Sequence, residues 1–401
     1  MRSSPDSASQ GRLLRAPGRA GLGLVFCVVL LDVVGLTILD PIAPYIVRRY
    51  SADALALTAL SSVYAAAQFV SAPILGRLSD RAGRRPVLLI CVLGSALGYF
   101  IFGIGGALWV LFLGRLVDGI TGGNMSVATA YVMDVSAPAE RAQNMTLVGT
   151  AMGLGFVLGP ATAGLLGQAG ANAPIWAAGA ISLLAAALIF FGLPESVPPE
   201  RRRQTRLLAS ELSPFGAVGA MLAKPGLAPI LAASALFGLA FDGVTGIGGL
   251  FVMRRFAAQP WQVGSFFAAA GIANAIMQAF VTRRLIARFG ERLMAIIGLI
   301  GTGAGAAFVA FAPSLWWLYP NAFLQSAATG FAWATLPAMA ANRVPEGEQG
   351  ELAGVSGAVG GLMAMIGPLW AGAVYDHVGA GAPFLAGAAL FLAAGLALGR
   401  A

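Results

Sequence analysis

Charge is scarce in this sequence. Only 10% of its 401 residues are Asp, Glu, Lys or Arg, against about 25% in ordinary soluble proteins. So few charges cannot cover a water-facing surface for a chain this long. Histidine is nearly missing: His377 stands alone, near a loop, and no Ser–His or Cys–His pair or metal-ligand spacing suggests an enzyme. The two cysteines, Cys27 and Cys91, fall inside apolar runs. They read as small apolar residues rather than as a disulfide or a metal site. No GxxxxGK[ST] phosphate loop occurs, so ATP is excluded as the direct energy source and an ion gradient takes its place.

What is abundant is apolar: 58% of the residues, with 54 glycines, a content that membrane helices tolerate and soluble helices do not. Runs of about 20 apolar residues mark membrane spans. They fall at 22–47, 54–76, 87–107, 108–132, 147–167 and 174–193, and again at 227–253, 261–282, 293–312, 315–341, 352–375 and 383–398. The sequence thus predicts an all-α membrane protein with twelve spans in two six-helix bundles. A tail (1–20) precedes the first bundle (21–193), and a linker (194–226) joins it to the second (227–401). The net charge of +8 does not point to nucleic acid, because the basic residues cluster in short loops between the apolar runs. Twenty of the 25 lie on the side that carries both termini and the linker; only Arg48, Arg49, Arg254 and Arg255 lie opposite, and Arg115 is inside a span. The positive-inside rule therefore predicts cytoplasmic termini, with the tail retained.

The halves repeat. In "RLSDRAGRRPVLLI" (77–90) and "RLIARFGERLMAII" (284–297), Arg, Leu, Arg, Gly and Arg recur 207 residues apart. Each stretch follows the second span of its half, as in parallel repeats that frame a substrate cavity near the membrane midplane.

Acids inside the spans are the candidate functional groups. The first span, "VVLLDVVGLTILDPIAPYIV", carries Asp32 and Asp40. At 1.5 Å per residue Asp32 lies about 15 Å in, near mid-membrane, and Asp40 about 27 Å in, near the outer surface, before a proline expected to kink or end the helix. A charged carboxylate at mid-depth costs at least roughly 2.5–3.5 kcal/mol. It escapes that cost by taking up a proton, which is what a proton carrier must do. Arg115 and Asp118 share a helix face at i,i+3 and form a second cluster, either a static pair or a tuner of proton affinity. Asp242 is a lone acid in the seventh span. The amides Gln68, Asn124, Asn274, Gln278 and Gln325 either bridge helices or face the cavity.

Several motifs together resemble one family. "GRLSDRAGRRP" (76–86) resembles the loop between the second and third spans of the major facilitator superfamily. "LGRLVDGITGG" (113–123) is similar to its fourth-span motif, and "GTAMGLGFVLGPATAGLLG" (149–167) to its antiporter motif. The first span, "QAFVTRRLIARFGER" and "QGELAGVSGAVGGLMAMIGP" resemble the twelve-span tetracycline/proton antiporters. The resemblance implies a latch of Gly76, Asp80, Arg81, Gly83 and Arg84, with Asp134 as partner of Arg84. It implies a hinge or seal at Gly149, Gly153, Gly159, Pro160 and Gly164, where small residues permit close helix approach. The residues themselves make Asp32, Arg115 and Asp118 the expected proton-coupling group and Asp40, Gln68, Asn124, Asp242, Asn274, Gln278 and Gln325 the expected cavity lining, Asp242 as a substrate contact or a gate; the resemblance adds matching subgroup positions for Gln68 and Gln278. It implies a functional monomer in a bacterial inner membrane with no cofactor, exporting tetracycline as a metal-chelated cation in exchange for protons. Broad multidrug export and proton-coupled nutrient uptake stay open. The chain departs from that subgroup in having Gly98, Thr302 and Asn274 where well-known members have two acids and a histidine.

Overall fold

The computed structural model describes residues 19–202 and 218–399; the expected tail and the middle of the expected linker lie outside them. The described residues are helices joined by short turns. In the first half they are α1 (Arg19–Val47), α2 (Ala54–Ala82), α3 (Arg84–Ile104), α4 (Leu108–Ile120), α5 (Asn124–Val135), α6 (Arg141–Gly167) and α7 (Ala173–Gly192). After the short α8 (Val218–Leu222) come α9 (Ala228–Phe256), α10 (Pro260–Ile276), a π-helical turn (Met277–Thr282) leading into α11 (Arg283–Phe289), α12 (Glu291–Phe311), α13 (Leu318–Ala341), α14 (Gln349–His377) and α15 (Ala382–Gly399). Ten helical segments among the described residues are long and apolar enough to cross a membrane singly. The other two of the twelve spans have local causes. The fourth is broken at Thr121–Gly123 into α4 and α5, of 13 and 12 residues. The tenth, α13, has 24 residues but carries Asn321, Gln325 and a run of small polar residues that lower its hydropathy.

The repeat is visible in the geometry. Gly83 and Gly290, 207 residues apart, both adopt positive φ (106° and 83°), which a side chain would strain. Each starts a 21-residue helix, α3 or α12. The arginines two residues on play one role in both halves. Arg85 reaches the carbonyls of Ile189 and Phe190 at the end of α7, and Arg292 those of Leu398 and Gly399 at the end of α15. A cation there suits the negative helix terminus and takes up its unpaired carbonyls.

The helix ends define two faces: the terminal face, where α1 begins and α15 ends, and the far face. The halves touch toward the far face and part toward the terminal face. On α6 a Cβ at Gly264 of α10 would lie 2.5 Å from the Gly164 Cα, and one at Gly271 2.8 Å from the Phe156 carbonyl. One turn and two turns toward the terminal face, Gly153 and Gly149 have nothing within 4 Å of where a Cβ would be. On α14, Gly372 packs on Leu55 and Thr58 of α2 and Gly361 on Phe69, whereas Gly357 and Gly354 face open space. The molecule is closed at the far face and open at the terminal face. The close approach expected at Gly149 and Gly153 is therefore not made in this state. It is made farther along α6, where Gly155 meets Val33 and Gly159 meets Thr37 and the Val34 carbonyl of α1.

Polar contacts lock the far face. Asp376 of α14 accepts hydrogen bonds from the Ala54 and Leu55 amides (2.9 and 2.8 Å), the first turn of α2. Tyr45 Oη donates to the Ala258 carbonyl at 2.6 Å, and Arg254 donates to the Ala52 carbonyl while lying over the Tyr375 ring. All four bonds join one half to the other.

Candidate functional site: a buried carboxylate–arginine cluster

The break in the fourth span organises the site. Where α4 ends, carbonyls lose their helical partners. Two α2 side chains take them up: Ser71 Oγ donates to the Gly119 carbonyl (2.8 Å) and Gln68 Nε2 to the Gly122 carbonyl (3.0 Å). Gln68 Nε2 is also 3.0 Å from Tyr64 Oη. No side chain fits at Gly119, where a Cβ would lie 2.6 Å from the Tyr64 carbonyl. Helix α2 is thereby held tightly across the break, and the first residue after it is Asn124.

Asn124 Nδ2 donates to Asp32 Oδ1 at 2.5 Å and lies 3.5 Å from Ser95 Oγ of α3. Ser95 also bonds to Asp118. Asp118 accepts from Arg115 Nη1 at 2.8 Å, both side chains being nearly sealed from solvent (4% and 7% exposed). The Arg115 guanidinium lies 4.0 Å from the centroid of the Tyr64 ring, within cation–π range. One continuous path therefore runs Asp32–Asn124–Ser95–Asp118–Arg115–Tyr64, across α1, α5, α3, α4 and α2. Two buried polar atoms on it have no partner: Asn124 Oδ1 and Arg115 Nε. Arg115 pairs with Asp118 and not with Asp32, whose carboxylate is met by the Asn124 amide.

Pro41 corrects an expectation. It neither ends nor interrupts α1, which continues to Val47, so Asp40 lies about 10 Å short of the helix end, with its side chain exposed. The prolines at 41 and 44 are tolerated where the second half packs on this turn: a Cβ at Gly249 would lie 3.2 Å from the Asp40 carbonyl. Asp40 opens onto a small recess of about 30 Å³ that it shares with Arg115, Ser61 and Thr245. Arg115 thus lies between the Asp118 carboxylate and the recess of Asp40.

Gly98 has a structural reason. A Cβ there would lie 2.8 Å from both Asp118 Cβ and the Gly114 carbonyl, so α3 and α4 touch backbone to backbone at the level of Asp118. In the second half the polar residues expected to line the cavity stay apart from this cluster, and Thr245 alone among those named reaches the recess beside Arg115. Asp242 of α9 packs against Gly367 of α14. Gln325 lies over Gly305, and Asn274 is half-buried on α10. Gln278, Thr282 and Arg283 line a separate recess of about 370 Å³ toward the terminal face. Thr302 bonds across to Thr329 (3.2 Å).

The loop residues form a second network. Arg84 Nε donates to Asp134 Oδ2 at 2.8 Å, and its Nη1 reaches Asp80 Oδ1 and Ser79 Oγ, both at 2.6 Å. Gly76 lies beside Ser126 of α5, and Arg81 sits in the last turn of α2. Glu195, just past α7, accepts from the Arg84 and Arg85 amides and so caps α3. The sequence offered no local sign of this cap, nor of Tyr64, Ser95 or Asp376, each of which acts on a residue far away in the chain.

The family model described as Major Facilitator Superfamily matches residues 25–283 and 249–400. The chain belongs to the major facilitator superfamily. Among curated relatives it is 35% identical over 370 residues to the class C tetracycline resistance protein of Escherichia coli, covering 91% of this chain and 92% of that one. It is 34% identical over 380 residues to the class G protein of Vibrio anguillarum, covering 93% and 96%. Among solved superfamily structures, the human organic anion transporter MFSD10 superposes with a TM-score of 0.71 at 27% identity, over 95% of this chain and 99% of that one. The nucleoside transporter NupG superposes with a TM-score of 0.81 at 16% identity and speaks to the fold alone. The chain is thus a multi-pass membrane transporter of this superfamily, with the expected helical architecture.

Proposed function

We propose that this protein is a drug/proton antiporter of the bacterial inner membrane that exports a tetracycline-like compound, with both termini in the cytoplasm. The relatives' names support the substrate, and the basic residues of the terminal-face loops support the orientation. In that orientation the cleft between the halves opens to the cytoplasm. The protein acts as a monomer, and the first bundle (21–193) rocks against the second (227–401) on the 194–226 linker.

The observation that carries the reading is the buried path from Asp32 to Arg115. Drug enters from the cytoplasm while Asp32 holds a proton and Arg115 balances Asp118. Release of that proton inward leaves more negative charge than Arg115 balances, which favours a cationic ligand such as a metal-chelated tetracycline. Rocking then exposes drug to the outside, where a proton returns and displaces it. Asp40, placed beside Arg115, and Asp242 offer carboxylates along the cavity. The Arg84–Asp80–Asp134 network, already made within the first half while the terminal face is open, is the preformed part of the cytoplasmic latch that the second half meets on closure.

The test uses inverted vesicles carrying the protein, energised to be acid inside. Addition of tetracycline with Mg²⁺ releases protons from the vesicles, and Asp32→Asn abolishes the release. A response to dyes and fluoroquinolones as well would shift the reading to multidrug export. Drug uptake that runs with protons rather than against them would overturn antiport. A second reading, export of an organic anion, is favoured by the likeness to the human organic anion transporter. Competition by anionic compounds in the same vesicles separates the two.

A further inference from the structure

Asn124 has an asymmetry that its proximity to Asp32 does not explain. Its Nδ2 is spent on Asp32 and Ser95, whereas its Oδ1, on a residue only 8% exposed, is buried with no partner. An orphaned buried acceptor costs about 1–3 kcal/mol as a rule, so a native structure that keeps one has a state in which it is used. The residue is the first of α5, directly after the break at Thr121–Gly123. Its neighbours Gly122 and Gly123 have no Cβ, so the backbone there turns more freely than in a continuous helix.

We propose that Asn124 is a positioning residue that reads the protonation state of Asp32 by turning its amide over; this rests on the reading of Asp32 as a proton carrier. Ionised Asp32 only accepts, so it takes the Nδ2–H bond seen in the structure. Neutral Asp32 carries an O–H that needs an acceptor. With the amide turned by a half-rotation, Oδ1 takes the place of Nδ2, receives that O–H and faces Ser95, whose hydroxyl turns from accepting to donating. The proton is not passed to Asn124; it stays on Asp32, and only the direction of the hydrogen bond reverses. Ser95 carries the reversal to Asp118 and so to Arg115. Because Asn124 opens α5, the reversal acts on the break in the fourth span, which is where α2 is also fastened through Gln68 and Ser71.

Other groups act on Asp32, and all stay in place in the test. They are Asp118 of α4, Tyr64 of α2, and Cys91 and Tyr99 of α3. Helix α7 has no ionisable side chain, and α6 has only Arg141 at its first position.

The experiment is infrared difference spectroscopy of the purified full chain against pH, with the Asp32 carboxyl band assigned by its loss in Asp32→Asn. Asn124→Val removes donor and acceptor together, whereas Asn124→Thr, of nearly the same shape, keeps a hydroxyl that serves as either. The bond from Nδ2 to a charged carboxylate is stronger than the neutral bond that replaces it. In Asn124→Val the titration midpoint of the band therefore moves to higher pH by about one unit, a tenfold change in proton affinity. The C=O frequency of the protonated form also rises, as its acceptor is gone. In Asn124→Thr both stay close to those of the native protein. A midpoint and frequency unchanged in Asn124→Val would overturn the proposal while leaving Asp32 as a proton carrier. A Thr variant that shifts as far as Val would also overturn it, by showing that the amide acts through shape alone. Absence of any Asp32 band that titrates would overturn both this inference and the antiport reading beneath it.

Discussion

Replacing Asp376 with Ala should open the far face. In the structure this carboxylate takes both the Ala54 and Leu55 amides of α2 from across the interface between the halves. Its own helix is α14, so the contact exists only while the far face is closed. The natural cap of α2 is idle: Asp53 has an extended backbone (φ −77°, ψ 135°), makes no cap bond, and instead accepts from Ser51. A carboxylate capping a helix contributes about 0.5–2 kcal/mol, and for an exposed group such as Asp376 about 1 kcal/mol is the fitting value. Losing it from one of two states shifts their ratio by about fivefold. The assay places a cysteine at Ala258, 4% exposed in the closed far face, in a chain with Cys27→Ser and Cys91→Ser, and follows its labelling by a membrane-impermeant maleimide. Asp376→Ala should speed labelling about fivefold. Asp53→Ala should slow it, because it leaves the closed state's cap intact and removes the one α2 would regain on opening. Equal labelling rates in the native and Asp376→Ala chains, or acceleration by both substitutions, would refute the capping account of far-face closure.

Other outcomes follow from close contacts. Gly159→Ala puts a methyl 2.0 Å from Thr37 Oγ1 and 2.9 Å from the Val34 carbonyl, so the melting temperature in detergent should fall, by an amount set by about 1–3 kcal/mol of overpacking. Gly149→Ala and Gly153→Ala meet open space in this state. Both should melt like the native chain yet slow transport, if α6 must close on the second half at the terminal face. Gly98→Ala should destabilise by a similar 1–3 kcal/mol or so, by wedging α3 from α4 beside Asp118; a melt unchanged from native would contradict the backbone contact. Arg84→Ala strips Asp80 and Asp134 of their shared cation. With both acids more than a quarter exposed, a loss of about 2 kcal/mol is expected, below the 3–5 of a fully buried pair, measured by thermal melting at low and high salt.

Much of the architecture was legible because membranes impose simple rules. Twenty apolar residues are needed to cross and the two halves repeat, so the spans and the 207-residue repeat could be read by counting. Gly83 and Gly290 could be recognised because a repeated glycine at a helix boundary signals a backbone that only glycine adopts. The i,i+3 spacing of Arg115 and Asp118 placed them together within one helix. What escaped were contacts between distant residues and breaks without a proline. The interruption at Thr121–Gly123 sits in an apolar stretch that reads as one span. Pro41, by contrast, suggested an end that packing against α9 overrides. Asp32 and Asn124 are 92 residues apart and Asp376 is 322 from Ala54, so no local pattern could pair them. The state of the molecule was also invisible: only the splay of α6 from α10 and of α14 from α2 tells which face is open.

The most direct test of the central claim separates movement from coupling. In proteoliposomes, Asp32→Asn should still exchange labelled drug for unlabelled drug down its gradient, because rocking and binding survive. It should fail to accumulate drug when only a pH difference is imposed. Uphill accumulation by Asp32→Asn at the native rate would contradict the account, since the proton would then cross without the carboxylate at the head of the buried path.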